Sequence, residues 1–256
     1  MYAVIHGILA DRKGGEVFTL FSGWHFFYIA LTVLTVIGTS LLIRKKSSEK
    51  KRKTAEAFGD AAFALYILDF FLMPFAYEEI DIEKLPFHIC TAMCVACFLG
   101  RHVPKLKNFR IHFALLGMIS NLVYLIYPAG VMWHRVHPLS YRVIQTLLFH
   151  GIMTVYGVLT FLFDEEKLEW KSFPRDIAVI VGMTAWAILG NLFYTGGAGK
   201  YANDFNWFFV TMDPFRMMNE RVAPIVMPFV NIAVFLAAEA MFYGLCHVIR
   251  SIKRRR

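Results

Sequence analysis

Two side chains in this sequence have the types that acyl-transfer chemistry requires: a thiol at Cys90, in LPFHIC (Leu85–Cys90), and an imidazole at His150, in LFHG (Leu148–Gly151). A thiol attacks as its thiolate, which a neighbouring imidazole or the positive end of a helix favours. The imidazole serves first as general base and then as general acid to the leaving group. Asp69, Glu239 or Asn191 would hold the ring in the needed tautomer, and Asn191 or His88 would serve as oxyanion support. With acyl chains beside such a pair, the natural reaction is acyl transfer or ester hydrolysis on a lipid, through a thioester on Cys90. Cys94 and Cys97 follow at i+4 and i+7 on the same helical face and read as packing residues.

No cofactor is expected. A metal site is the rival within enzyme chemistry, and its alternative ligand set is His25, His88 and His150, with Cys90 and Asp69 as further acceptable zinc ligands. The pattern gives it little support: no HxxxH or CxxC occurs. His88 and Cys90, two positions apart, would point about 200° apart on a regular helix.

These residues must be positioned by membrane helices. Of the 256 residues 57% are hydrophobic and 18% charged, outside the range of ordinary soluble domains. Seven segments are long or apolar enough to be helices of a bilayer about 30 Å thick: Gly23–Ile43, about Ala55–Ala76, a shorter one opened by Pro86 and reaching Gly100, about Phe109–Tyr127, Val143–Phe163, Asp176–Tyr194 and Val222–Val248. The expected fold is therefore an all-α polytopic bundle of about seven transmembrane helices. It has an extracytoplasmic segment over 1–22, a transmembrane domain over 23–248 and a basic cytoplasmic tail over 249–256. MYAVIHGILA is too short to span and does not read as a signal peptide. Cysteines gathered in one apolar segment argue for reduced thiols rather than a disulfide framework.

The net charge of +8 does not point to nucleic acid, because the basic residues lie in blocks between apolar runs. Nineteen of the 27 Lys and Arg residues fall in Arg44–Thr54, Arg101–Arg110, Asp164–Arg175 and the tail after Val248, all at one set of helix ends. By the positive-inside rule the N-terminus lies outside and the C-terminus inside a cell membrane.

That orientation sorts polar residues by depth. His25, Asp69, His88, Asn121, His150 and Asn191 fall in the outer half of six helices, His150 about 12 Å below Arg142, and Glu239 lies deeper, near the middle. Polar groups are expensive in lipid, so they should face the bundle interior and find one another, which predicts one shared cavity opening outward. In YTGGAGKYANDFNWFF the topology excludes a phosphate loop. Lys200, Asn203 and Asp204 read as a cover over the cavity mouth or a contact with lipid headgroups, and Trp207, Phe208 and Phe209 as an interfacial anchor. Membrane phospholipids are the expected partners. A transporter, channel or lipid- or solute-binding receptor is the alternative, favoured by Glu239 and Asp69, since intramembrane carboxylates mark proton and ion pathways.

Together, LPFHIC, LFHG, the LFSGWHF around His25, Asn191 before an aromatic Gly-containing loop, and Glu239 in the last helix resemble the YwaF-type integral membrane family of bacteria. That family is similar to eukaryotic transmembrane acyltransferases that remodel ether phospholipids, and more distantly to androgen-induced intramembrane hydrolases of fatty-acid esters. The resemblance, from about Phe18 to Tyr243, implies an intramembrane nucleophile and a histidine, at Cys90 and His150. Thr91 is the neighbouring alternative, since the hydrolases use a threonine.

Overall fold

A computed structural model describes residues 2–11, 15–76, 84–163, 168–195, 206–211, 217–219 and 221–255. Every regular element among them is helical. In chain order these are α1 (Tyr2–Leu9), α2 (Gly23–Ile43), α3 (Ser48–Ala76), α4 (Ile89–His102), α5 (Arg110–Ile126), α6 (Ala129–Trp133), α7 (Tyr141–Phe163), α8 (Phe173–Thr195) and α9 (Ala223–Arg255), with short 3-10 turns at Pro104–Phe109, Trp170–Ser172 and Trp207–Phe209.

Six stretches are long and apolar enough to cross a membrane: α2, α3, α5 with its flanking turns, α7, α8 and α9. At a rise of 1.5 Å per residue, the 21 residues of α2 extend about 31 Å, and the 14 of α4 only about 21 Å. The seventh expected helix is therefore present but too short to span alone. The chain is a multi-pass integral membrane protein. Large apolar side chains exposed on the helices, among them Leu42, Phe71, Phe193, Phe229 and Met241, form its lipid-facing surface.

Local chemistry sets the helix ends. The Ser22 hydroxyl accepts from the His25 amide and caps α2. Pro86 does not open α4, as the sequence suggests: the helix starts three residues later, after His88 in an extended N-cap conformation. The Pro86 carbonyl instead accepts from Trp186 Nε1 at 2.6 Å. At the other end of the bundle α3 begins at Ser48, not Ala55, because SEKKRKT continues the helix beyond its apolar part with the pairs Glu49–Lys53 and Arg52–Glu56.

The most buried of the spanning helices, α7, packs against α2, α3 and α5. The α5–α7 crossing is close: a Cβ on Gly157 would lie 2.4 Å from Met118 Cβ. One core cluster joins α3, α4, α5, α7 and α8 and contains Cys90, Cys94, Cys97, Phe149 and Met153. The end carrying Arg44–Thr54 and Arg101–Arg110 is called the basic end below, and the opposite one the distal end.

Candidate functional site

Cys90 is the second residue of α4, in the first turn at the distal end. Its thiol lies near the Ser120 hydroxyl of α5, close enough for that group to act on it. The Ser120 hydroxyl itself donates to the Gly117 carbonyl at 3.1 Å. Cys94 and Cys97 extend down the same face, each 1% exposed, as packing residues.

His150 approaches α5 from α7. Its ring lies flat on Tyr124, centroids 3.8 Å apart, and edge-on to Phe149. Nδ1 is 2.7 Å from the Thr146 carbonyl. A carbonyl only accepts, so Nδ1 carries the hydrogen and Nε2 keeps a lone pair, the tautomer a general base requires. Ser120 and Tyr124 are four residues apart, one turn and about 6 Å along α5. Cys90 and His150 therefore lie near side chains one turn apart on α5.

Polar side chains that the sequence reading passed over surround His150. Asp69, fully buried on α3, accepts from Tyr141 at 2.7 Å through Oδ1 and faces Lys84 Nζ at 3.1 Å through Oδ2. Lys84 also donates to Gln145 at 3.0 Å, and Thr146 donates to the same Gln145 oxygen at 3.2 Å. Tyr66 holds the Lys84 carbonyl at 3.0 Å. Lys84 and His88 lie close enough for their charges to act on the His150 ring. Asp69 thus reaches His150 through Lys84, Gln145 and Thr146 and does not touch the ring. The available signals were Lys84, directly before LPFHIC, and Gln145–Thr146 one turn before His150.

Other candidates stand elsewhere. His25 is fully buried, but its Nδ1 accepts from the Phe21 amide and its Nε2 donates to the Leu125 carbonyl at 2.8 Å, so its ring ties α2 to α5. The set His25, His88 and His150 is not gathered, and among the described residues no three His, Cys, Asp or Glu side chains are placed to hold a metal ion. Asn191 bonds the Trp207 backbone, Nδ2 to its carbonyl at 3.1 Å and Oδ1 to its amide at 3.2 Å, rather than Cys90 or His150. Asn231, not singled out in the sequence, binds the Phe208 carbonyl at 2.6 Å. These two clasps hold a turn with Phe208 and Phe209 in the left-handed region. They sink Trp207 and Phe208 into the protein, so of the expected interfacial anchor only Phe209 is exposed.

Asn121 is buried beside Ser120, its Nδ2 on the Gly117 carbonyl and its Oδ1 without a partner. Thr91 is half-buried and donates to the His88 carbonyl at 3.1 Å. Glu239 lies apart from all of these, near Asp176 towards the basic end. The single shared cavity is thus replaced by a distal cluster around Cys90 and His150, two backbone clasps, and a separate group at Glu239. Lys200, Asn203 and Asp204 lie outside the described residues.

Among known proteins, the family model of the TMEM164 family, a family of transmembrane proteins, matches residues 20–243 of this chain. No curated protein and no solved structure matches it.

Proposed function

The chain belongs to the TMEM164 family, and from that membrane setting we propose that it transfers acyl groups on phospholipid through a thioester on Cys90, with His150 as acid and base. The supporting observation is the arrangement on α5, where the Cys90 thiol meets Ser120 and the His150 ring meets Tyr124 one turn further on. The tautomer of His150, fixed by Thr146, leaves Nε2 ready to accept a proton.

In this reading the thiol proton moves to His150 Nε2, and Sγ attacks the ester carbonyl carbon of a phospholipid. The carbon–oxygen bond breaks, the departing lysolipid oxygen takes the proton from Nε2, and the acyl group remains on sulfur. A second hydroxyl, from a lysophospholipid or from water, then gives its proton to Nε2 and attacks the thioester. The carbon–sulfur bond breaks, and Sγ recovers the proton from His150. Water gives hydrolysis and a lysolipid gives transfer. Lys84 and His88, at the distal rim of the cluster, are the side chains placed to meet the headgroup. The basic end faces the cytoplasm by the positive-inside rule, which puts the chemistry in the outer leaflet of a cell membrane.

The test is acyl exchange in vesicles of phosphatidylethanolamine with isotope-labelled acyl chains and an unlabelled lysolipid, followed by lipid mass spectrometry. Wild-type protein should move label to the lysolipid. Cys90→Ala and His150→Ala should not, while unfolding at the wild-type temperature in detergent. Undiminished transfer by folded Cys90→Ala would exclude the thioester. No transfer by wild type with either lysolipid or water as acceptor would favour a solute-binding or transport role.

A further inference from the structure

At the basic end, four polar side chains from three helices are buried together. They are His112 of α5, Asp176 of α8, and Glu239 and Tyr243 of α9, none more than 2% exposed. Asp176 accepts at both oxygens, from His112 Nδ1 at 2.7 Å and from the Tyr243 hydroxyl. Tyr243 also meets the Ser172 hydroxyl at 3.3 Å. With its hydrogen on Nδ1, His112 keeps a lone pair on Nε2, and that atom is buried without a hydrogen-bond partner. Glu239 is one turn before Tyr243, and both its carboxyl oxygens are buried with no partner. It lies close enough to Asp176 for the two charges to interact.

The two carboxyl groups have opposite surroundings. Asp176 has two donors. Glu239 has none, and as a bare anion it would face an apolar interior beside a second carboxyl group, a placement that costs several kcal/mol. Something must neutralise it. The elements packed on α9 are α8, α5 and the Trp207–Phe209 turn. They bring Asp176, His112 and no titratable group, respectively. Of the basic side chains nearby among the described residues, Arg110 acts on Tyr156 of α7, and Lys171, Arg175 and His247 are exposed. A multidentate metal is not the answer, because among the described residues no three suitable ligands are gathered.

We propose that Glu239 is a proton-binding site in the basic half of the bundle, its carboxyl held neutral by burial without a hydrogen-bond partner beside Asp176. Neighbouring carboxyls in contrasting environments divide the roles of proton holder and fixed charge in this way. The site shares no residue with the Cys90 cluster and stands whether or not the thioester forms.

A hydrophobic carbodiimide tests it, since the reagent adds across the O–H of a protonated carboxyl in an apolar setting and stays attached as an N-acylurea. Purified wild-type protein is treated with dicyclohexylcarbodiimide from mildly acidic to alkaline pH, and its peptides are read by mass spectrometry. The expected result is one added reagent on the Glu239 peptide, absent in Glu239→Gln, declining as pH rises and unchanged by sodium or potassium. Asp176→Asn, which removes the adjacent negative charge, should move the decline to lower pH than in Tyr243→Phe, which keeps that charge. Protection by sodium at constant pH would mean that a metal cation occupies the site and would overturn the proposal. So would no labelling of Glu239 in folded protein whose exposed carboxylates still react with a water-soluble carbodiimide.

Discussion

The His150 imidazole lies parallel to the Tyr124 ring, with centroids 3.8 Å apart and planes inclined by 13°. The contact fixes the direction of Nε2, because Thr146 already holds the opposite nitrogen. Such ring pairs contribute about 0.5–1.5 kcal/mol beyond buried area. Tyr124→Phe keeps the stack and should retain most acyl transfer, whereas Tyr124→Ala should lower turnover by up to about tenfold, as that energy converts to rate. Vesicle exchange on the two variants, with unfolding temperatures as control, checks this.

The Ser120 hydroxyl lies near the Cys90 thiol, where it favours the thiolate that attacks. Loss of a hydrogen bond is worth about 1 kcal/mol, or about fivefold in rate. Ser120→Ala should therefore slow thioester formation by about that factor and leave the second, deacylating step unchanged. Single-turnover kinetics separate the two steps. An equal effect on both would assign Ser120 a packing role alone.

Lys84 stands between Asp69 and Gln145. Removing it strands a fully buried carboxylate, which costs about 3 kcal/mol. Lys84→Met should lower the unfolding temperature markedly, and the double variant with Asp69→Asn should recover much of the loss. Additive losses would show that the two side chains are not coupled.

At the α5–α7 crossing, a Cβ on Gly157 would overlap Met118 Cβ, a backbone-attached atom that has little freedom to withdraw. Gly157→Ala should cost about 1–3 kcal/mol. It should also reduce acyl transfer, since the same two helices hold Tyr124 against His150. Unfolding in detergent and the exchange assay give the two readouts.

The helices were largely legible because long apolar runs of this length have one stable form in lipid, and the ends of α2 and α7 fall within two residues of the apolar limits. The start of α3 was hidden by its polarity, since charged residues outside the bilayer carry no hydropathy signal. Cys90 and His150 stood out as reactive types in the outer half of their helices, and both lie near α5 side chains. Depth alone does not give azimuth. His25 and Asn191 share the outer half with His150, yet they face backbone groups and bind them. Lys84 precedes α4, outside the apolar runs, and its turn inward to Asp69 depends on packing between α3 and α7. His112 and Asp176 were passed over because they sit in the first turns of their helices, where polar residues normally meet water. Only the approach of α5, α8 and α9 buries them. The left-handed pair Phe208–Phe209 carries no glycine or asparagine to announce it.

The central claim is an acyl group carried on sulfur. Intact-protein mass spectrometry after incubation with phospholipid, before and after neutral hydroxylamine, measures it directly. An acyl-sized adduct should form on wild-type protein, vanish with hydroxylamine and never form on Cys90→Ala. The same adduct on Cys90→Ala, or none on wild-type protein that turns lipid over, would contradict the account.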